Sequence, residues 1–194
     1  MSLRSAFAGL AAALALGIGG ARAAEGDMTV GRADAPVTVV EYASVTCGHC
    51  AHWQKAVWPA FKAKYVDTGK VRFVLRELPT APGPAAVDGF LAARCAGPER
   101  YFEVVHRLMA DQKTLFAGNT EGWLRTASKL GDEALQTCLG DAEAQNAFWS
   151  RIEANAAEHK VAGTPAFFVN GKPVEGGAAL EELDAAIQPL LKGR

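Results

Sequence analysis

The chain has 194 residues, of which 49% are hydrophobic and 21% are charged, and its formal net charge is -1. This length and composition fit one packed globular domain, or one domain with an insertion, and they exclude an intrinsically disordered chain. Because no overall positive charge would attract phosphate groups, we predict that the protein does not bind nucleic acid.

The first 23 residues have the features of a secretory signal peptide. Arg4 gives a basic start, an apolar run covers about residues 6–18, and Ala21-Arg22-Ala23 has the A-x-A form of a cleavage site. The alternative is a membrane anchor, but a spanning helix needs about 20 apolar residues. We therefore predict export, with cleavage near Ala23 and a mature chain of residues 24–194.

Two predicted strands flank a predicted helix in the first part of the mature chain. Residues 36–43 are rich in β-branched side chains and predict a strand that ends just before Cys47. Apolar residues then recur at helical spacing from Cys47 to about Tyr65, and residues 71–78 predict a second strand. Cys47 is thus expected where a strand passes into the N-terminus of a helix.

The rest of the chain predicts a helical block followed by a hairpin and a last helix. Prolines and glycine interrupt the pattern after the second strand, and residues 85–160 predict several helices and no strand. Residues 166–169 predict a strand, Asn170-Gly171 a two-residue turn, and residues 172–174 a return strand whose proline suits a sheet edge. The final helix is predicted from about Leu180. The predicted order is β-α-β, a helical block, then β-β-α.

The four cysteines are Cys47, Cys50, Cys95 and Cys138. An even number in an exported protein suggests disulfide bonds, and four cysteines allow three pairings. The close spacing of Cys47 and Cys50 favours that pair and leaves Cys95 with Cys138. The latter two fall at apolar positions of predicted helices, so two free buried thiols are the alternative to a structural disulfide.

Residues 47–50 read C-G-H-C, a spacing that suits haem attachment, a metal site or a redox pair. Haem attachment needs histidine directly after the second cysteine, where this chain has Ala51. Zinc needs four ligands, and the two cysteines with His49 and His52 are too close together along a helix to converge on one ion. We therefore expect no metal and no other cofactor at this motif.

The redox interpretation has a physical mechanism. Free N–H groups and a partial positive charge at a helix N-terminus lower the pKa of a thiol placed there, and the thiolate is the reactive form in disulfide exchange. Cys47 has that position. Cys50 lies one turn further on and can close the disulfide ring or resolve a mixed disulfide, and His49 can favour the thiolate.

These motifs together resemble a DsbA-like thiol:disulfide oxidoreductase of the thioredoxin superfamily. The matching segments are Gly31, residues 34–42, the C-G-H-C motif of residues 47–50, and residues 163–171. The resemblance covers nearly all of the mature chain and implies an α/β protein: a thioredoxin fold with an inserted all-helical domain. Its thioredoxin-fold parts would be about residues 28–80 and 161–194, and the helical insertion about residues 84–160.

The dipeptide between the two cysteines departs from this family pattern. Many DsbA-like proteins carry proline after the first cysteine, whereas Gly48-His49 is the pair found in protein disulfide isomerase. The redox poise of the motif is therefore left open by the resemblance.

The resemblance also implies roles for Thr164, Pro165 and Glu41. Thr164-Pro165 resembles the loop that has a cis peptide bond, faces the active-site sulfurs and pairs through its backbone with an extended substrate; the alternative is an ordinary proline at the start of a strand. Glu41 resembles the buried acid beneath the second cysteine, a proton acceptor for Cys50, and poor solvation should raise its pKa. The alternative is a sheet residue paired with a nearby lysine.

The activity that the resemblance implies is that of a periplasmic oxidase. It would donate its Cys47–Cys50 disulfide to unfolded or folding exported proteins, act as a monomer, and be reoxidised by a quinone-linked membrane oxidase of the DsbB type. An isomerase or reductase of the same fold is one alternative, although only about a dozen residues between Ala24 and the first predicted strand leave little room for an N-terminal dimerisation region. The other is a non-enzymatic periplasmic metal-binding module.

Overall fold

The fold is described from a computed structural model, which covers residues 23–176 and 179–192. Apart from Ala23, the predicted signal peptide lies outside the described residues. The elements, in chain order, are β1 (Met28–Val30), β2 (Val37–Ala43), α1 (Gly48–Ala56), α2 (Trp58–Phe61), a π-helical turn (Lys62–Val66), β3 (Val71–Glu77), α3 (Gly83–Cys95), α4 (Tyr101–Ala110), α5 (Gln112–Phe116), α6 (Thr120–Ser128), α7 (Asp132–Leu139), α8 (Ala142–Glu158), β4 (Ala166–Val169), β5 (Lys172–Pro173) and α9 (Leu180–Lys192).

The five strands form one mixed sheet in the order β1-β3-β2-β4-β5. Strands β2 and β3 are parallel, as expected for two strands joined through a helix, and the other neighbouring pairs are antiparallel. The predicted order of elements is present, with one correction. Strand β1 precedes the first predicted strand and pairs with β3, so the chain enters the sheet at Met28.

Strand β2 is the centre of the sheet, and its two faces serve different purposes. Successive side chains of a strand point to opposite faces. Val37 and Val39 belong to the main hydrophobic core, and Glu41 shares their face by this alternation. Val40 and Tyr42 belong to a smaller cluster on the other face. The carboxyl group of Glu41 therefore lies on the face of the sheet that the main hydrophobic core covers.

The predicted hairpin is confirmed at β4 and β5. These strands pair antiparallel, with Val169 opposite Lys172 and Phe168 opposite Pro173. Asn170 and Gly171 form the turn with φ angles of 46° and 79°, the positive values that a two-residue type I′ turn requires. Strand β5 is the last strand of the sheet, so Pro173 removes no hydrogen bond to a further neighbour.

The helices between β3 and β4 form a packed block of their own. Helix α3 packs against α4, α6 and α7. Cys95 at the end of α3 is bonded to Cys138 in α7, with a Cα–Cα distance of 6.3 Å. The bond closes a loop between residues 43 positions apart, for which chain entropy alone predicts a stabilisation of about 4 kcal/mol. Within the described ranges, no helix combines the length and the apolar character needed to cross a membrane.

Candidate active site

Cys47 lies in the turn between β2 and α1 and caps the first helix. Its backbone is extended, with φ -80° and ψ 120°, and its sulfur accepts a hydrogen bond from the Cys50 N–H at 3.3 Å. Its carbonyl accepts the Ala51 N–H at 3.0 Å, the first bond of the helix. The strand pattern of residues 37–43 ends just before this turn, so the structure places the thiol at the helix N-terminus as the sequence predicts.

This position lowers the pKa of the Cys47 thiol to about 5. The largest cause is the hydrogen bond with the Cys50 side chain, and a hydrogen bond from Thr164 and the backbone N–H groups of Cys50 and His49 add to it. Partial burial of the sulfur opposes these effects but does not outweigh them. At neutral pH, Cys47 is therefore a partly accessible thiolate.

Cys50 has the opposite character. Its side chain is buried, and its pKa is raised well above the ordinary range, first by its hydrogen bond with Cys47, then by burial and by the charge of Glu41. Neither sulfur is bonded to the other in the structure. The two cysteines are therefore unequal: one is a half-buried thiolate, and the other is a buried thiol that holds its proton.

Glu41 lies in β2 and is fully buried. Burial raises the pKa of its carboxyl group to about 8, and the charge of Cys47 adds to the shift. Neither carboxyl oxygen has a hydrogen-bond partner among the described residues, so no lysine from that part of the chain satisfies it. The carboxyl group is therefore neutral near pH 7 and interacts electrostatically with both cysteines.

The Thr164–Pro165 peptide bond is cis, and the loop that contains it lies against Cys47. The Thr164 carbonyl oxygen lies 3.4 Å from the Cys47 sulfur and accepts its S–H when the thiol is protonated. Strand β4 begins directly after this loop and pairs with β2, with Phe167 opposite Glu41. The sheet register therefore brings residues far apart in the sequence to one site.

A groove of about 410 Å³ lies between residues of α1 and the cis-proline loop, next to the Cys47 turn. It is lined by apolar side chains, two histidines and the cis-proline loop: His49, His52, Trp53, Val57, Thr164, Pro165 and Ala179. His49 and His52 are exposed on its wall. Gly48 has open space around it, since a β-carbon added there would have no heavy atom within 4 Å. His49 and Thr164, two of the residues that line the groove, also hydrogen-bond the Cys47 sulfur.

Two groups of residues around the site have no signal in the sequence. Ser44, Thr46 and Thr80 join their hydroxyl groups in a hydrogen-bonded network that ties the Cys47 turn to the loop after β3. The Gln112 amide nitrogen donates to the carbonyl oxygens of Val45 and Cys47 at 2.8 and 3.0 Å. Neither contact follows from local spacing, because the partners lie on different elements.

The metal-binding alternative has no preformed site in the described parts of the chain. Among those residues no group of three or more histidine, cysteine, aspartate or glutamate side chains is placed to hold an ion. His49 and His52 are exposed, whereas Cys50 is buried below them.

Comparison with known proteins gives the family. A model of the thioredoxin family matches residues 23–189. A putative protein-disulfide oxidoreductase of Rickettsia bellii is 31% identical over 173 residues, which are 87% of this chain and 66% of that protein. The disulfide bond formation protein D of Bacillus subtilis is 25% identical over 188 residues, covering 91% of this chain and 82% of that protein. The crystal structure of Wolbachia pipientis alpha-DsbA1 has a TM-score of 0.78 at 22% identity, covering 88% of this chain and 94% of that one.

The chain therefore belongs to the thioredoxin family, and its fold is of the DsbA type: a thioredoxin fold with a helical insertion between β3 and β4. The predicted fold class is confirmed. The chain spans less than two thirds of the length of the rickettsial relatives it matches.

Proposed function

We propose that this protein is an exported thiol:disulfide oxidoreductase that introduces disulfide bonds into folding exported proteins through Cys47 and Cys50. The observation that carries the proposal is the inequality of the two cysteines: an accessible thiol with a pKa of about 5 stands at a helix N-terminus, next to a buried partner thiol. The relatives named as disulfide oxidoreductase and disulfide bond formation protein support the same activity.

The first step is attack on the oxidised protein. A substrate thiolate approaches the Cys47 sulfur, because Cys50 is buried, and forms a mixed disulfide with it. The Cys47–Cys50 bond breaks, and Cys50 leaves with the electron pair. Glu41, neutral near pH 7, supplies the proton that makes Cys50 a thiol, and is itself reprotonated from water.

The second step releases the product. Another substrate thiolate attacks the substrate sulfur of the mixed disulfide, the bond to Cys47 breaks, and Cys47 leaves as a thiolate. The substrate gains one disulfide and loses two electrons to the enzyme, which ends as Cys47 thiolate and Cys50 thiol. Because the low pKa of Cys47 stabilises this reduced form and makes it a good leaving group, the protein should be an oxidant.

The groove and the Thr164 loop are proposed to hold the substrate. An extended segment would pair with the Thr164 backbone and place apolar side chains against Trp53, Val57 and Pro165. Backbone pairing does not depend on the identity of side chains, which suits an enzyme that acts on many unfolded chains. The proposed role of the Cys95–Cys138 bond is structural, because it joins two helices outside this groove.

Export to the periplasm and reoxidation by a quinone-linked membrane oxidase of the DsbB type complete the proposal. The basic start, apolar run and A-x-A sequence before Ala24 support export. N-terminal sequencing of the protein from the periplasm of an expressing bacterium should give a mature chain that begins near Ala24. A full-length chain retained in the cytoplasm would contradict this part of the proposal.

The activity is tested with a reduced, unfolded protein that regains activity when its disulfides form. The oxidised wild-type protein in stoichiometric amount should restore that activity, and Cys47→Ser should not. Scrambled substrate distinguishes an isomerase, which would act faster on it than on reduced substrate. Metal analysis of protein purified without a chelator distinguishes a metal-binding module, which would retain about one ion per chain and oxidise nothing.

A further inference from the structure

Gln112 connects the helical insertion to the backbone of the redox turn. It is the first residue of α5, and its amide nitrogen donates to the carbonyl oxygen of Val45 at 2.8 Å and to that of Cys47 at 3.0 Å. Only the nitrogen of an amide can face two carbonyl oxygens, so the orientation of this side chain is fixed by its partners. Both amide hydrogens are used by carbonyls on either side of Thr46.

These two hydrogen bonds from Gln112 lie in the turn between β2 and α1. The Cys47 carbonyl already accepts the Ala51 N–H as the first bond of α1, and Gln112 occupies its second acceptor position. The Val45 carbonyl lies on the strand side of the same turn. A single side chain from a distant element thereby sets the relative direction of the turn's two peptide groups, and the Cys47 sulfur extends from the second of them.

We propose that Gln112 is a positioning residue for the redox reaction: through the carbonyls of Val45 and Cys47, it holds the turn in the geometry that presents the Cys47 sulfur to the helix N-terminus and to Thr164. This inference rests on the proposed function, because positioning matters only if Cys47 is the redox-active thiol. It gives the helical insertion a direct part in the chemistry of the thioredoxin-fold site.

The contact also has an electrostatic consequence. The carbonyl oxygen of Cys47 carries partial negative charge close to its own sulfur, and an N–H donated to that oxygen reduces this charge. Loss of the donor should therefore disfavour the thiolate. The ionisable groups that act on this sulfur are Cys50 and Glu41; His49 and His52 line the groove beside it, and Asp111 and Lys113 flank Gln112.

Two substitutions and one matched control test the inference. Gln112→Met keeps the length of the side chain and removes both donors. Gln112→Glu keeps the shape and faces the two carbonyls with oxygens alone. Gln145→Met removes a side-chain amide that donates to the Leu139 carbonyl in the same helical block, away from the redox turn. Circular dichroism establishes that each variant is folded.

The readout is the equilibrium of each variant with reduced and oxidised glutathione at pH 7, together with the thiolate absorbance of Cys47. For Gln112→Met we expect the constant for reduction of the protein to fall at least about threefold and the pKa of Cys47 to rise by about half a unit, since a tenfold change corresponds to one unit. Gln112→Glu should shift both further, and Gln145→Met should shift neither.

A second measurement uses the wild-type protein, so the inference stays testable if both variants fail to fold. The side-chain amide resonances of Gln112 should titrate in NMR spectra with the midpoint of Cys47. Resonances that do not move through that titration, or folded Gln112 variants with the wild-type glutathione constant, would overturn the inference. Failure of the proposed function is a different result: the wild-type protein itself would not be oxidising in the same assay.

Discussion

The sulfur of Cys47 lies 3.4 Å from the carbonyl oxygen of Thr164, although 117 positions separate the two residues in the chain. The pairing of β4 with β2 produces this contact, because Thr164 stands just before β4 and Cys47 a few residues after β2. Thr164 acts on Cys47 in two ways, through its backbone and through its side chain. The carbonyl accepts from the protonated thiol, whereas the Thr164 side chain lowers the pKa of Cys47 by a hydrogen bond to the thiolate.

Thr164→Val should therefore raise the pKa of Cys47. Valine has the shape of threonine without the hydroxyl group, so one stabilising hydrogen bond to the thiolate is lost while the backbone carbonyl remains. A rise of about half to one unit is expected, in line with a single hydrogen bond to a charged group. Ultraviolet absorbance of the thiolate during a pH titration measures it.

Thr68→Val is the matched control for that substitution. The Thr68 hydroxyl donates to the Lys64 carbonyl at the exposed end of the helical segment before β3, away from the cysteines. Its removal should leave the titration of Cys47 unchanged. Equal midpoints for wild type and Thr164→Val would show that the Thr164 side chain does not stabilise the thiolate.

Glu41 should make the stability of the oxidised protein depend on pH. Its pKa is raised to about 8 in the reduced protein, chiefly by burial and then by the charge of Cys47. Burial also acts in the oxidised protein, where Cys47 is uncharged, so the pKa there is still raised above the value of about 4.3 in an unfolded chain. The stabilisation that protonated Glu41 contributes is fully present below its unfolded pKa of about 4.3 and is lost as the pH rises towards 8. We expect the free energy of unfolding of the oxidised protein to fall by at most about 3 kcal/mol between pH 5 and pH 8.

Denaturant unfolding of the oxidised wild type and of Glu41→Gln at several pH values measures this effect. The Gln variant cannot ionise and should show a much smaller fall over the same range. In the reduced protein the lowered pKa of Cys47 acts in the opposite direction, because its stabilisation is present at high pH and is lost as pH falls through about 5. If the free energy of unfolding decreased equally in the wild type and in Glu41→Gln between pH 5 and pH 8, Glu41 would already be charged at pH 5 in the folded protein.

The Cys95–Cys138 bond should stabilise the fold without taking part in catalysis. Cys95→Ala combined with Cys138→Ala should lower the free energy of unfolding by a few kcal/mol, at most about the 4 kcal/mol of chain entropy. Oxidation of a reduced substrate should continue at the wild-type rate at temperatures where the variant is folded. A folded double variant without oxidase activity would instead assign the pair to a redox relay.

The centre of the site could be predicted from the sequence because its signals are local. The β-branched run before Cys47 predicts the strand, the change to helical spacing predicts the helix N-terminus, and alternation along the strand places Glu41 in the core. Asn170-Gly171 predicts its hairpin for the same reason: the turn chemistry is contained in two residues.

Other features were missed because their cause lies elsewhere in the chain. Strand β1 has only three residues, Met28–Val30, and gains its strand geometry from pairing with β3. One difference has a local cause instead: the helix predicted through Tyr65 is divided at Val57, because Pro59 follows and cannot donate a helical hydrogen bond. Gln112 acts on Cys47 from 65 positions away, and no spacing rule connects them.

The most direct test of the account is the reduction potential of the Cys47–Cys50 pair, measured in glutathione buffers of defined ratio. A thiolate with a pKa of about 5 next to a buried thiol stabilises the reduced form, so the pair should be oxidising. We predict a potential less negative than about -200 mV, on the side of protein disulfide isomerase and DsbA. A potential of about -270 mV or lower, the range of thioredoxin, would contradict the assignment of an oxidase.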